Sequence, residues 1–379
     1  VFIFAYAEYN LGDDLFIKIL LDRYPKHNFY LVAEQDYNNI FENYDNITIV
    51  PRLKNSLFKR GWNFIQRKLF ANEGLKIIQN VIAKEHAHYF KGMDAIVVIG
   101  GSLFQQYRIK PYYYEMEIFK NISSYSNQKA IFYLGCNFGP FVDQNYVEQF
   151  RAIFSKALDV SFRDQKSFDL FKDLKNVRFN SDIVYTLKNQ EEENQNFSDN
   201  KSVGFSIVSP LKEVREFDRI TYVEKYTELI NSYISDQYIV KLFSFCKKEG
   251  DEAIINEIYD RLGHANVQKI FYEGDIELFL NEFKSVEEIY SGRFHAMILG
   301  MMNSQKIFPV IYSKKMTNIL DDIDYKGETI DLFNFQNLNI ETTRKQIFEN
   351  HYNITGEKQK ANLHFAKLDE FFGKKVIES

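Results

Sequence analysis

The residues with the clearest chemical potential form the stretch Ser291–Met297, which reads Ser-Gly-Arg-Phe-His-Ala-Met. The residues before it predict a strand, and the apolar run after it predicts a helix. In open α/β sheets, ligands bind at the carboxyl ends of the strands, where helix amino termini offer N–H groups to anions. Arg293 adds a forked permanent cation, and His295 adds a group that exchanges a proton near neutral pH. This pattern predicts a site for an anionic substrate, with a structural helix cap as the alternative interpretation.

Other loops place polar or cationic residues directly after predicted strands. These residues are Asn10, Gly12, Asp13 and Asp14 after the first strand, then Gly101 and Ser102, then Asn137, then Arg163 with Asp164, and finally Lys315. We expect the loops to face one cleft, and a glycine such as Gly101 lets backbone approach a ligand closely. The alternatives are helix capping for the first loop, a local ion pair for Arg163 and a solvated loop for Lys315.

Length and composition indicate an ordinary globular protein. The chain has 379 residues, of which 45% are hydrophobic and 26% are charged, and this length predicts two domains. The net charge of −5 argues against nucleic-acid binding driven by overall positive charge. Two cysteines cannot build a disulfide framework or a paired-cysteine metal site, so we expect a reducing cytoplasm and no metal requirement. The sequence has no apolar run of about 20 residues that predicts a transmembrane helix.

The order of the predicted elements indicates the fold class. Strands and helices alternate in both halves of the chain, which predicts α/β architecture with two Rossmann-like, doubly wound domains that face a central cleft. The polar stretch at 189–201 is the predicted linker. It separates a first domain at 1–188 from a second domain at 202–345, and we expect the helical segment at 346–379 to pack back on the first domain.

The segment at 52–70 differs from the rest of the chain in composition. It contains six cations and no acid, together with Trp62 and three phenylalanines. This composition predicts peripheral contact with an anionic membrane, or binding of a lipid-diphosphate acceptor. A basic helix packed on the domain is the alternative.

Taken in order along the chain, these motifs resemble the polysaccharide pyruvyl transferase family. The matching residues span roughly 1–320 and are Asn10-x-Gly12-Asp13, Gly100-Gly101-Ser102, Gly135-x-Asn137-x-Gly139-Pro140, Arg163-Asp164 with Ser167, Ser181-Asp182, Gly292-Arg293-Phe294-His295-Ala296, Pro309-Val310-Ile311 and Lys315. Two positions depart from the family pattern: Phe294 stands where leucine is frequent, and Cys136-Asn137 stands where glutamine-glycine is common.

The resemblance implies a GT-B-like architecture and a reaction. Pyruvate would move from phosphoenolpyruvate to two hydroxyls of a sugar in a polysaccharide or lipid-linked precursor, forming a cyclic ketal without a further cofactor. It also places Arg293 and His295 at the donor site, with Arg163 as an anion contact. On chemical grounds we expect His295 to supply the acid or to assist the departing phosphate, and Asp13, with Asp14 and Glu8 as alternatives, to act as the base toward the acceptor. We expect Lys315 and Phe294 to join the donor site, and the acceptor side of the cleft to be formed by Asn10, Gly12, Asp14, Gly101, Ser102 and Asn137.

Two other functions stay open on the sequence alone. The first is a glycosyltransferase that uses a nucleotide sugar on the same two-domain frame, for which Glu328 is a candidate ribose-binding acid. The second is a non-catalytic member that keeps the fold. A membrane-bound acceptor would place the protein at the inner face of the plasma membrane.

Overall fold

The computed structural model describes residues 1–51, 72–108, 114–188, 201–209, 218–263 and 266–378. These residues form two sheets. The first sheet contains β1 (Phe2–Phe4), β2 (Phe29–Ala33), β3 (Ile47–Pro51), β4 (Ala95–Ile99), β5 (Ala130–Cys136), β6 (Asp159–Phe162) and β7 (Val177–Phe179). The second contains β8 (Ser202–Ser206), β9 (Ile239–Ser244), β10 (Val267–Phe271), β11 (Glu288–Ser291), β12 (Lys306–Ile311) and β13 (Ile330–Asp331).

Helices connect most of the strands. Within the described residues they are α1 (Leu11–Arg23), α2 (Asn72–Phe90), α3 (Tyr114–Ser124), α4 (Gln144–Phe154), α5 (Gln165–Asp169), α6 (Arg219–Ser235), α7 (Asp251–Leu262), α8 (Ile276–Lys284), α9 (Phe294–Met302), α10 (Lys314–Asp322), α11 (Ile340–Glu349), α12 (Glu357–Asn362) and α13 (Ala366–Glu378). None of them is long and apolar enough to cross a bilayer.

The six strands of the second sheet follow the same order as the first six of the first sheet, which has β7 as a seventh strand. The first runs β3-β2-β1-β4-β5-β6-β7 and the second β10-β9-β8-β11-β12-β13, with all neighbours parallel. The strand order reverses between β1 and β4 in the first sheet and between β8 and β11 in the second. Such switch points open a crevice at the carboxyl ends of the strands. The predicted fold class of two doubly wound α/β domains is therefore confirmed.

The apolar composition of the strands explains why they lie in the interior. All five residues of β4 are fully buried, because helices cover both faces of a parallel sheet. One apolar cluster continues across the domain boundary and includes Phe16 of α1 and Met297 of α9. The two domains also join through backbone, where the Leu11 amide donates to the Phe245 carbonyl at 3.1 Å. The carboxyl ends of the two sheets are thus held close together.

The carboxyl-terminal segment lies against the first domain. Arg23 of α1 forms an ion pair with Asp369 of α13 at 2.7 Å, and Arg178 donates to the His364 carbonyl at 3.2 Å. Two predicted segments fall outside the described residues: the basic segment at 52–70, and the linker at 189–201 apart from Lys201. The membrane contact and the linker boundary stay predictions.

Candidate active site at the domain interface

Arg163 is the most deeply buried cation of the cleft. Asn137, Arg163 and Asp182 follow the neighbouring strands β5, β6 and β7, so parallel pairing brings them to one edge of the sheet. Arg163 is only 2% exposed, and its guanidinium donates to Asp182 Oδ2 at 2.9 Å and to Asn137 Oδ1 at 2.6 Å. The second domain supplies the ring of Phe294, whose centroid lies 4.2 Å from the guanidinium carbon. Contacts from both domains therefore hold this charge in place.

His295 reaches the same point from the second domain. It lies in the first turn of α9, and its Nε2 is 3.4 Å from Arg163 Nη1. A guanidinium only donates hydrogen bonds, so Nε2 acts as the acceptor in this contact. Burial, followed by the positive charges of Arg163 and Lys315, holds the pKa of His295 well below its usual value. The imidazole is therefore neutral at pH 7 while no anion is bound.

Lys315 brings a second cation to the cleft from the start of α10. Its Nζ donates to Ser102 Oγ of the first domain at 3.3 Å and lies 5.6 Å from the ring centroid of Phe294. Ser102 Oγ also approaches Asn137 Oδ1 at 3.4 Å. Among the described residues, no carboxylate lies within ion-pair distance of Lys315. Its charge is thus available to an anionic ligand.

Arg293 has partners of its own within the second domain. Its Nε donates to Asp251 Oδ2 at 2.8 Å, its Nη2 donates to the other oxygen of Asp251, and its Nη1 donates to Glu249. Asp251 is fully buried, so this bidentate pair is a fixed part of the fold. Arg293 was expected to bind substrate directly, but the structure shows its charge already matched by two acids. Direct contact with phosphoenolpyruvate stays a prediction for this residue.

Glu249 and Asp251 are site residues that the sequence reasoning missed. Both follow β9, which neighbours β8 in the second sheet; Glu249 lies just before α7, and Asp251 is the first residue of α7. Glu249 Oε1 also accepts a hydrogen bond from Asn10 Nδ2 of the first domain at 3.2 Å. Their position after a strand is the signal that pointed to the other site residues.

Asp13 and Asp14 are adjacent in the first turn of α1 but have different partners. Burial raises the pKa of both carboxyls, that of Asp13 to about 7, with the charge of Glu249 as the next cause, and that of Asp14 to about 8. Asp14 is fully buried and accepts hydrogen bonds from Tyr37 and, at 2.7 Å, from Tyr272 of the second domain. Asp13 is partly exposed and can therefore serve as an acid or base in the cleft, whereas Asp14 joins the two domains.

Gly12 and Gly101 make room for the side chains of His295 and Arg163. A Cβ on Gly12 would overlap the His295 imidazole, and a Cβ on Gly101 would overlap the Arg163 guanidinium. Gly101 was expected to let the backbone approach a ligand, but it faces a side chain instead. Asn10 fits the capping interpretation, since its Oδ1 accepts from the Gly12 amide at 3.1 Å.

Glu328, the candidate ribose-binding acid, lies away from these residues. Glu328 is exposed and precedes β13, so it lies at the amino end of that strand. The cleft lies at the opposite, carboxyl end, because β13 runs parallel to β12. Within the described residues, the site included, no group of three or more histidines, cysteines or acids is placed to hold a metal ion.

Replacing Gly12 with Ala tests how His295 is held. We expect the added methyl to displace the imidazole toward solvent, so that its pKa rises toward the ordinary value. The measurement is the NMR titration of the His295 ring in wild type and in Gly12→Ala. Gly373→Ala is the matched control, because Gly373 is also helical and its Cβ would meet open space. An unchanged titration of His295 in Gly12→Ala would contradict this packing.

Several solved structures share the fold. A Listeria monocytogenes protein assigned as a UDP-N-acetylglucosamine 2-epimerase is 10% identical, with 98% of this chain and 96% of that chain covered and a TM-score of 0.58. The Neisseria meningitidis UDP-GlcNAc 2-epimerase bound to UDP-GlcNAc is 11% identical, with 100% and 98% covered and a TM-score of 0.53. Anabaena HepE in complex with UDP and glucose is 12% identical, with 100% and 99% covered and a TM-score of 0.50.

At such low identity these likenesses establish a GT-B fold and nothing about substrate. The sequence itself matches the family model described as polysaccharide pyruvyl transferase over residues 10–314. This range contains the loops that supply Asn137, Arg163 and His295. Because the match spans most of the chain, the protein belongs to the polysaccharide pyruvyl transferase family.

Proposed function

We propose that this protein transfers pyruvate from phosphoenolpyruvate to two hydroxyls of a sugar, forming a cyclic ketal and releasing phosphate. The observation that carries the proposal is the meeting of Arg163, Lys315 and His295 at one point between the domains. Phosphoenolpyruvate bears both a phosphate and a carboxylate, so a site for it needs more than one cation. Two cations from different domains meet that need.

The donor site is proposed to use hydrogen-bond donors of Arg163 and Lys315 that no described residue engages. Arg163 has five N–H donors, and the contacts to Asp182, Asn137 and His295 engage three of them. Lys315 has three donors, of which one reaches Ser102. The amino end of α9 adds backbone N–H groups beside His295. Arg293 contributes indirectly in this proposal, by fixing Glu249 and Asp251 beneath the same loop.

The proposed reaction begins with protonation of the methylene carbon of phosphoenolpyruvate, which becomes a methyl group. The neighbouring carbon is then electrophilic and bonds to the first sugar hydroxyl. The bond from that carbon to the phosphate oxygen breaks, and the second hydroxyl closes the ketal. The two hydroxyls lose two protons in total. One proton balances the new methyl group and the other leaves with the phosphate.

His295 and Asp13 are the proposed proton carriers. A bound phosphate places negative charge beside His295, which favours the protonated imidazole and lets it act as an acid. Asp13 has a pKa of about 7, so its carboxylate can accept a hydroxyl proton near neutral pH. The acceptor is proposed to belong to a polysaccharide or lipid-linked precursor. Contact of 52–70 with a membrane stays a prediction.

Replacing Lys315 with Gln tests the donor site. Loss of the charge should weaken phosphoenolpyruvate binding about tenfold or more, because a hydrogen bond to a charged group contributes roughly 1.5–3 kcal/mol. Isothermal titration calorimetry of the purified protein measures the dissociation constant. Lys314→Gln is the matched control, since Lys314 is exposed on the same helix turn.

The same titration, repeated with UDP- and CMP-sugars, separates the competing functions. Binding of a nucleotide sugar, with none of phosphoenolpyruvate, would indicate a glycosyltransferase and overturn the proposal. Equal phosphoenolpyruvate affinity in Lys315→Gln and Lys314→Gln would remove Lys315 from the donor site.

The titration of Asp13 tests its role as a base. We expect the carbon-13 signal of its carboxyl to change with a midpoint near pH 7, so that the basic form predominates only above that pH. Glu249→Gln should lower the midpoint, because the charge of Glu249 is the strongest electrostatic influence raising it. A midpoint near 4 in the wild type would contradict the role.

A further inference from the structure

The loop that carries Asp182 is held by the carboxyl-terminal segment of the chain. Asp182 lies between β7 and a short 3-10 helix at Ile183–Thr186, and the buried Ser181 precedes it. The Ser181 hydroxyl donates a hydrogen bond to Glu357 Oε2, and the Ser181 carbonyl accepts one from His364 Nε2 at 2.7 Å. Two residues that are distant in sequence therefore fix the residue next to Asp182.

Both of these residues are buried, and each has a defined partner atom on Ser181. Glu357 is the first residue of α12, and its other carboxylate oxygen accepts a hydrogen bond from Lys360 at 2.7 Å. His364 is fully buried, and burial lowers its pKa to about 3, so its ring is neutral at pH 7. A carbonyl only accepts hydrogen bonds, so the single N–H of the neutral ring lies on Nε2. Both contacts are thus specific in direction.

A cavity beside Arg163 makes the position of Asp182 important. Arg163, Asp182 and Glu357 line this cavity of about 130 Å³, which lies between the first domain, α10 and α12. Side chains do not fill it, so on this side the guanidinium is held by its hydrogen bond to Asp182 rather than by close packing. A shift of Asp182 would leave a buried positive charge without its acid and with room to move.

We propose that Glu357 and His364 are positioning residues for Arg163. They act through the loop of Ser181 and Asp182, which they hold where Asp182 pairs with the guanidinium at 2.9 Å. Both residues lie beyond residue 314, where the family match ends. The effect on phosphoenolpyruvate binding rests on the proposed function, whereas the effect on the position of Arg163 does not.

The test compares variants of the full-length protein that remove one contact with variants that keep it. Glu357→Ala removes the acceptor for the Ser181 hydroxyl, whereas Glu357→Gln keeps an acceptor oxygen. His364→Leu removes the N–H donor, whereas His364→Gln keeps one. Asp369→Ala is the matched control, because it breaks the ion pair with Arg23 that ties the same segment to α1 and leaves Ser181 untouched.

Two measurements follow the site, and thermal unfolding follows the stability of each variant. The NMR titration of the His295 ring reports the position of Arg163 without any ligand. After burial, the charge of Arg163 is the strongest cause that lowers the pKa of that ring. Isothermal titration calorimetry gives the dissociation constant of phosphoenolpyruvate.

We expect Glu357→Ala and His364→Leu to raise the midpoint of the His295 titration, because Arg163 moves away from the ring. Both variants should bind phosphoenolpyruvate about threefold or more weakly than the wild type does. The two glutamine variants should stay close to the wild type in both measurements. Asp369→Ala should leave both unchanged, whatever its unfolding temperature.

An unchanged His295 titration in Glu357→Ala and in His364→Leu would overturn the proposal. An equal change in Asp369→Ala would also overturn it, since the segment would then act through stability alone. If His364→Leu does not fold, the comparison of Glu357→Ala with Glu357→Gln decides. Failure of phosphoenolpyruvate to bind the wild type would reject the donor function, and the His295 titration would still decide whether Glu357 and His364 position Arg163.

Discussion

The arrangement of this site depends on the burial of one positive charge. Arg163 is almost completely removed from solvent, and such a charge is tolerated only where partners satisfy it. The first domain provides Asp182 and Asn137, and the second provides the Phe294 ring and the His295 nitrogen. The site is therefore complete only when the two domains are docked.

This dependence explains why apparently separate features of the interface act together. Gly12 and Gly101 lack side chains at the positions where a Cβ would overlap the side chains of His295 and Arg163. The Asp14 carboxylate accepts hydrogen bonds from Tyr37 of the first domain and Tyr272 of the second. These bonds hold α1, the helix that also carries Asp13, in place at the cleft. Among the described residues, Lys315 has no carboxylate at ion-pair distance and donates to Ser102, whereas Glu249 is paired with Arg293.

The alternation of strands and helices in the sequence predicts the fold. Many of the residues that meet at the interface are also predictable, because parallel strands bring the loops that follow them to the same edge of the sheet. The surroundings of each side chain were less predictable. Asp13 and Asp14 look equivalent in sequence, yet one helix step separates a cleft position from a core position. The partners of Arg293, Asp251 and Glu249, lie more than 40 residues earlier, and only folding pairs them. Gly101 suggested close approach to a ligand, whereas it makes room for Arg163 of its own domain, and Gly12 makes room for His295 of the second domain.

The most direct measurement is a crystal structure of the protein with phosphoenolpyruvate at saturating concentration. The account predicts the ligand between the domains, with its anionic oxygens within hydrogen-bond distance of Lys315 Nζ and Arg163, and with its methylene carbon close to His295. A ligand bound away from Arg163, Lys315 and His295, or a cleft left empty under these conditions, would contradict it.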